Sequence, residues 1–294
     1  MPWGPERLAD LERLCAAALP GELLRPDDLA RTCWDEPPED PDGGRCGPSF
    51  TLGVDGPDGA PWGAVGVAMR HLDDLTVGHL QVLVVDPEVR RQGIGSALVD
   101  AARAAATGRG AQLFTAGSAA PYYLYTGVDS RWTAALCLFE SLGWTTSGVG
   151  LDLGCDTRAP RPAPPEGVRL EVAAGEEGRA DAAAFAARCF PEWRAELVRG
   201  VDTGHVVLAR DVAGMVVGAA AHSVNRVGVV GPMGVDPALQ RGGTGAALLG
   251  ALLADLAAQG IARAEIQWVS NVSFYAKAAG ATVVRSSLHL NPGR

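Results

Sequence analysis

The chain has no run of basic residues, no stretch of 18 apolar residues, no CxxC pair and no P-loop, and each absence removes a class of function. With 25 Lys+Arg against 34 Asp+Glu the formal net charge is −9, and no basic stripe is present to follow a phosphate backbone, so nucleic acid is not an expected partner. No membrane-spanning segment is expected, and the opening MPWGPERLADLERL places charges where a signal peptide needs an apolar run, which points to a cytoplasmic protein. The cysteines (Cys15, Cys33, Cys46, Cys137, Cys155 and Cys189) are scattered, without a histidine at zinc-ligand spacing, so they read as reduced thiols and no metal is expected. Neither GxGxxG with an acidic ribose ligand nor GxxxxGK[ST] occurs, which argues against dinucleotide chemistry and nucleotide hydrolysis.

What is present is a repeat. A chain of 294 residues, 47% hydrophobic and 20% charged, is long enough for two ordinary domains. VVDPEVRRQGIGSALVDAARAAA from Val84 reappears as MGVDPALQRGGTGAALLGALLADLAAQG from Met233. Asp86, Pro87, Gly93 and Gly95 map onto Asp236, Pro237, Gly243 and Gly245 at a constant offset of 150 residues, with no gap. Between the copies, Pro160, Pro162, Pro164 and Pro165 crowd a segment that suits neither helix interior nor sheet ladder. The expected organisation is a first domain over residues 1–156, a linker over 157–165 and a second domain over 166–294. PPEDPDGGRCGPSF, residues 37–50, reads as a surface loop between a helix (Arg25 to Trp34) and a strand.

Both copies carry the same order of elements. In the second, Ala180 to Cys189 and Glu192 to Arg199 read as helices, followed by strands HVVLARDV, MVVGAAAHSV and VGVVGPMGV. Thr244 to Gln259 keeps Leu248, Leu249, Leu252, Leu253 and Leu256 on one helical face. Strand AEIQWVS, short helix SFYAKAAG and closing strand ATVVRSSLHL complete it. The first copy repeats this and closes on WTTSGVGLDLG. The fold class is α/β or α+β: a mostly antiparallel sheet in each copy, with helices on both faces.

In each copy a strand ending in VDP meets a helix through a turn whose glycines reach conformations closed to residues with a Cβ. Backbone N–H groups of Arg91, Gln92, Gly93, Ile94, Gly95 and Ser96, and of Arg241, Gly242, Gly243, Thr244, Gly245 and Ala246, would converge at a helix N-terminus suited to a pyrophosphate. The plain alternative is a connection that merely needs glycine. The turns resemble the acetyl-CoA loop of the GNAT acetyltransferase family, [RQ]xxGx[GA], matched by Arg90, Gly93 and Gly95 and by Gln240, Gly243 and Gly245. The resemblance covers nearly all of residues 50–154 and 205–290 and implies two tandem GNAT folds. By the same resemblance the cofactor lies along the preceding strand ends, Leu83, Val84 and Val85 in one copy and Met233, Gly234 and Val235 in the other. A backbone N–H near Val84 or Gly234 would hold the thioester carbonyl.

The resemblance also implies a tyrosine on the last helix that protonates the departing sulfur. Tyr275 in SFYAKAAGA is the candidate, whereas LCLFESLGW has Phe139, which cannot donate a proton. The spacing to the following glycine differs by one residue between the copies, and Tyr275 could equally be a core tyrosine. Glu265 is the candidate base, with His222 the alternative, and each residue type has a structural reading too. Asn271 either touches the cofactor or caps the helix after it. Tyr123, Tyr125 and Asp129 in PYYLYTGVDSRW, together with His222 and Trp268, are candidates for an acceptor pocket, Asp129 attracting a cationic amine. Packing between domains is the other account of those tyrosines. The resemblance thus implies an acetyl-CoA-dependent N-acetyltransferase acting on the primary amine of a small molecule, monomeric or homodimeric, with catalysis in the second domain or, alternatively, the first. An acetyl-CoA sensor without transfer is the rival.

Overall fold

The computed structural model describes residues 1–35, 45–72, 75–117 and 120–293. The first part of the expected surface loop, residues 37–44, lies outside them, and from Arg45 the chain is already strand. The strands are β1 (Pro2–Trp3), β2 (Arg45–Asp55), β3 (Pro61–Leu72), β4 (Leu75–Val85), β5 (Leu113–Ala116), β6 (Val128–Asp129), β7 (Trp144–Asp156), β8 (Arg169–Val172), β9 (Val206–Arg210), β10 (Val216–His222), β11 (Val229–Val235), β12 (Arg263–Ile266) and β13 (Thr282–Pro292). The helices are α1 (Leu8–Ala18), α2 (Pro26–Cys33), α3 (Ile94–Gly108), α4 (Thr133–Ser141), α5 (Gly175–Cys189), α6 (Arg194–Asp202), α7 (Thr244–Ala258) and α8 (Val272–Ala279). Among the described residues, no helix is long and apolar enough to cross a membrane.

The chain forms two compact units, one of Met1–Gly150 with Ser287–Arg294, the other of Leu151–Ser286. In the first unit β1 to β4 form an antiparallel meander and β5 joins β4 in parallel. The C-terminal end of the chain completes this sheet, Leu290 opposite Ala116 and Leu288 opposite Val128. Successive strand residues point to opposite faces. Ala64, Val82 and Val84 therefore pack with Leu11, Leu14 and Leu29 of α1 and α2, while Val65, Val67 and Leu80 pack with Leu98, Val99 and Ala102 of α3 and with Phe139 of α4. A bulge in the β3–β4 pairing, between Leu80 and Val82, moves the buried set of β4 from one face to the other.

The second unit repeats the plan. Strands β8, β9, β10 and β11 are antiparallel and β12 runs parallel to β11. Leu153–Asp156, from the end of β7, closes this sheet against β12. Val206, Leu208 and Ala219 face α5 and α6; Val207, Ala209 and Val217 face α7. All five leucines expected on one face of α7 are at most 1% exposed, each worth about 2 kcal/mol when buried. Residues 157–165, read from the sequence as a linker, belong to this unit: Thr157 Oγ1 donates to the Ile261 carbonyl at 2.7 Å, and Arg161 and Pro162 lie against Gly250 of α7. Both faces of each sheet carry helices, as the patterning requires.

Candidate functional site

The two glycine turns have the same backbone. Asp86 accepts a hydrogen bond from the Glu88 N–H at 2.9 Å and Asp236 one from the Ala238 N–H at 3.0 Å, each opening a short 3₁₀ turn after the strand. Left-handed residues then alternate: Arg91 (φ 65°) and Gly93 (φ 82°) in the first unit, Arg241 (φ 72°) and Gly243 (φ 94°) in the second. Residues in this conformation two apart curl the intervening N–H groups toward one point. Gly93 and Gly243 are the N-caps of α3 and α7 and make no side-chain cap, so the free N–H groups of each first turn face outward with the positive end of the helix dipole. These features fit a diphosphate. Arg90 and Gln240, matched to the motif by sequence, act from behind the turn: Arg90 Nε donates to the Val85 carbonyl at 3.2 Å and Gln240 Nε2 to that of Val235 at 3.3 Å.

The second glycine of each turn has another physical reason than the one inferred from sequence. Gly95 and Gly245 are inside the helices, and what they provide is close approach: a Cβ on Gly95 would stand 3.1 Å from Leu138, and one on Gly245 would stand 3.3 Å from Phe274. Leu138 and Phe274 therefore hold equivalent places, and the residues that follow them, Phe139 and Tyr275, correspond. Phe139 is buried against Trp144, the rings 4.8 Å apart. Tyr275 is half-buried beside Phe274, and burial pushes its phenol up to about 12, so the hydroxyl keeps its proton at neutral pH.

Beyond Val230 and Ile266 the parallel pairing of β11 and β12 stops, while β11 continues to Val235. At this opening Gly234 lies under two stacked rings, Phe190 and Trp193, 4.3 Å apart; a Cβ on Gly234 would stand 2.5 Å from Phe190 and 2.8 Å from Trp193. Neither ring is marked by any local sequence pattern. Asp152 lies one residue before Leu153, the partner of Ile266, and accepts a hydrogen bond from the Trp268 N–H at 3.0 Å. Burial raises its carboxyl to about 6, against the opposing pull of that hydrogen bond. Trp268 is half-exposed and held at φ 55°.

Glu265 is placed differently from an available base. Its Oε1 is 2.5 Å from Arg226 Nη2 and its Oε2 is 3.3 Å from Arg285 Nη2, and both guanidinium groups are buried. Burial alone would raise this carboxyl, but the field of the two arginines outweighs it and holds the group below the usual carboxylate range. His222 is fully buried at the far end of β10, in contact with Asp255 near the end of α7. Asn271 caps α8, its Oδ1 accepting from the Phe274 N–H at 3.2 Å. In the first unit Asp129 is 1% exposed, and its carboxylate accepts from the Arg131 backbone and guanidinium at 2.6–3.1 Å, so its charge is already matched. The hydroxyl of Tyr125 donates to Glu22 at 3.2 Å and its ring packs edge-on to Trp132, while Tyr123 is half-buried. The structure thus brings together Met233 to Ala246, Phe274 and Tyr275, and sets Glu265 and His222 into other networks.

Residues 57–146 match the acetyltransferase (GNAT) domain and residues 172–281 the acetyltransferase (GNAT) family. A curated relative, a mycothiol acetyltransferase of Salinispora arenicola, is 36% identical over 210 residues, a stretch that spans 63% of the chain and 63% of that relative's length. Among solved structures, a tandem GNAT protein from the clavulanic acid biosynthesis pathway superposes over 100% of the chain and 98% of its own, with a TM-score of 0.72 at 18% identity. A glucosamine N-acetyltransferase region of a fungal multi-domain β-N-acetylglucosaminidase superposes with a TM-score of 0.75 at 18% identity, over 99% of the chain and 37% of its own. With one match on the greater part of each half, on a fold shared end to end with a tandem protein of that kind, the chain belongs to the GNAT acetyltransferase family as a tandem, two-domain member.

Proposed function

We propose that the chain is an acetyl-CoA-dependent N-acetyltransferase that acetylates the primary amine of a small molecule, and that the second unit performs the transfer. The observation that carries this reading is the equivalence of Tyr275 and Phe139: both units hold a pyrophosphate-shaped turn, and only the second follows it with a side chain able to give up a proton. The name of the mycothiol acetyltransferase relative supports a small-molecule acceptor.

Acetyl-CoA, when bound, supplies the thioester. The turn from Arg241 to Ala246 holds its diphosphate through backbone N–H groups, and the N–H groups of Met233 to Val235 lie along the strand end where the carbonyl needs a donor. A free alkylamine has a pKa near ~10, so one proton must leave before attack. Asp152, on β7 across β12 from β11, has its carboxyl raised to near 6 although Arg285 Nε stands 3.8 Å away, and suits that task better than Glu265, whose carboxyl two arginines hold low. Tyr275 delivers a proton to the thiolate as it departs. Phe190 and Trp193, stacked over Gly234, cover the carbonyl-binding strand and limit access of water. In the first unit Phe139 lacks a proton to give, which favours cofactor binding without transfer there.

The test is thiol release from acetyl-CoA with a panel of small amines, comparing the parent protein with Gly93→Asp and Gly243→Asp. Turnover abolished by the second substitution and retained with the first supports the reading. No release with any amine favours an acetyl-CoA sensor, and loss confined to Gly93→Asp moves the chemistry to the first unit.

A further inference from the structure

Sequence spacing shows no metal-ligand pattern, yet the fold of the second unit brings His205, His222 and Asp255 to one place, with a ligand atom from each within 4.8 Å of the others. His205 immediately precedes β9, His222 ends β10, and Asp255 is in the last turn of α7. The two imidazoles lie 4.5 Å apart, tilted by 33°, and the backbone N–H of His222 donates to the His205 carbonyl at 3.1 Å. We propose that His205, His222 and Asp255 form a binding site for a zinc-class divalent transition metal, which clamps the C-terminal end of α7 to the ends of β9 and β10.

Three features support a cation here. The carboxylate of Asp255 sits in the last turn of a 15-residue helix, where the dipole disfavours negative charge, and that turn holds no basic residue. The imidazole of His222 is fully buried and turns its Nε2 toward that carboxylate, at 2.7 Å from Asp255 Oδ2. The outer contacts are those of a metal-bound histidine. With Nε2 toward Asp255, the Nδ1 of His222 is 3.0 Å from Ser223 Oγ, and that oxygen is itself held by the Gly228 N–H at 3.0 Å. Ser223 takes a left-handed conformation, φ 54°, to bring its hydroxyl there.

The donor set decides the metal. Two imidazole nitrogens and one carboxylate suit zinc, cobalt or nickel, whereas magnesium and calcium prefer all-oxygen sites. Asp255 Oδ2 is 2.7 Å from His222 Nε2 and 3.9 Å from His205 Nδ1, and also accepts from Gln259 Nε2 at 3.0 Å. Ligand atoms around a tetrahedral zinc stand about 3.3 Å apart, so the histidine–carboxylate contact has to open slightly. Asp255, with 47% of its side chain exposed, has the freedom to make that movement. The cluster lies about three turns along α7 from Thr244, roughly 16 Å at the helical rise, so the metal is remote from the turn that holds the diphosphate. Its role is structural.

The experiment uses the full chain without an affinity tag, stripped with chelator. Titration with Zn²⁺ followed by calorimetry, and with Co²⁺ followed by visible absorption, is expected to show one tight equivalent that Mg²⁺ does not replace, together with a higher unfolding temperature in Zn²⁺. His205→Gln and Asp255→Asn, both at accessible positions, should each weaken that equivalent at least tenfold. Absence of zinc binding below about 1 mM, or binding unchanged in both variants, overturns the proposal. Neither readout depends on acetyl transfer, so failure here leaves the enzymatic reading untouched, and failure of that reading leaves this one.

Discussion

Phe139 stands in the first unit where Tyr275 stands in the second, each directly after the side chain that packs on a helix glycine, Leu138 on Gly95 and Phe274 on Gly245. On the proposed reading, Tyr275 is the hydroxyl that gives its proton to the departing sulfur. Removing it in Tyr275→Phe is expected to lower kcat by about 10²–10⁴-fold, the usual contribution of a general acid, with little change in acetyl-CoA affinity. Steady-state kinetics beside a binding isotherm check this. Undiminished kcat would mean that the sulfur is protonated by water or another group.

The two glycines of the second turn should fail in different ways. Gly243 has φ 94° and open space around a would-be Cβ, so Gly243→Ala strains the backbone without a clash. About 1 kcal/mol or more of strain at the diphosphate nest is expected to appear mainly as weaker acetyl-CoA binding. Gly245→Ala instead presses on Phe274 at 3.3 Å and so displaces its neighbour Tyr275. Its expected signature is a lower kcat with affinity largely kept. Identical profiles for the two variants would count against the separate roles.

Glu265 and Asp152 differ in what their loss should do. Glu265→Gln removes one counter-charge shared by Arg226 and Arg285, each 4% exposed, while Asp152 still stands 3.8 Å from Arg285 Nε; breaking a buried pair typically costs about 3–5 kcal/mol, which denaturant unfolding would read. A loss under about 1 kcal/mol would return Glu265 to consideration as the base. For Asp152, kcat/KM is expected to rise with pH through about 6 as the carboxyl ionises, and Asp152→Asn should remove that limb of the profile.

Glu196 on α6 provides a pH test of stability. Its carboxyl is fully buried, accepts from Asn225 Nδ2 at 2.6 Å, and is raised by burial to about 7 in the folded protein. Between the ordinary glutamate value near ~4.3 and 7 the folded state therefore binds more protons than the unfolded one, and stability must fall as pH rises through that window. Glu196→Gln keeps the acceptor and drops the charge, so its unfolding free energy should vary less between pH 5 and 8 than that of the parent, a comparison that denaturant melts at several pH values would make.

Much of the architecture is legible in the residues. Glycine at 93 and 243 is required by the left-handed caps, the five leucines of α7 share a face because a helix repeats every 3.6 residues, and the 150-residue echo implies two copies of one fold. These are local demands of backbone geometry and periodicity, which a linear reading captures. Which strand completes which sheet is a different kind of fact. WTTSGVGLDLG and ATVVRSSLHL read as the closing strands of their own repeats, yet residues 153–156 pair in the second unit and residues 287–290 in the first. β7 and β13 are 13 and 11 residues long, enough to serve one unit with each half. Alternation of side chains states which face is buried but carries no label for the partner.

The same limit governs the side chains. Glu265 and His222 carry chemistry that looks available in a linear chain, and only the folded protein supplies the Arg226–Arg285 pair and Asp255 to engage them. Phe190 and Trp193 meet Gly234 across more than 40 residues of sequence, and His205, His222 and Asp255 converge from two strands and a helix. Backbone turns are determined within a few residues because sterics act at short range. Charge partners and ligand clusters depend on contacts between distant segments, and those exist only once the cores of the two units have packed.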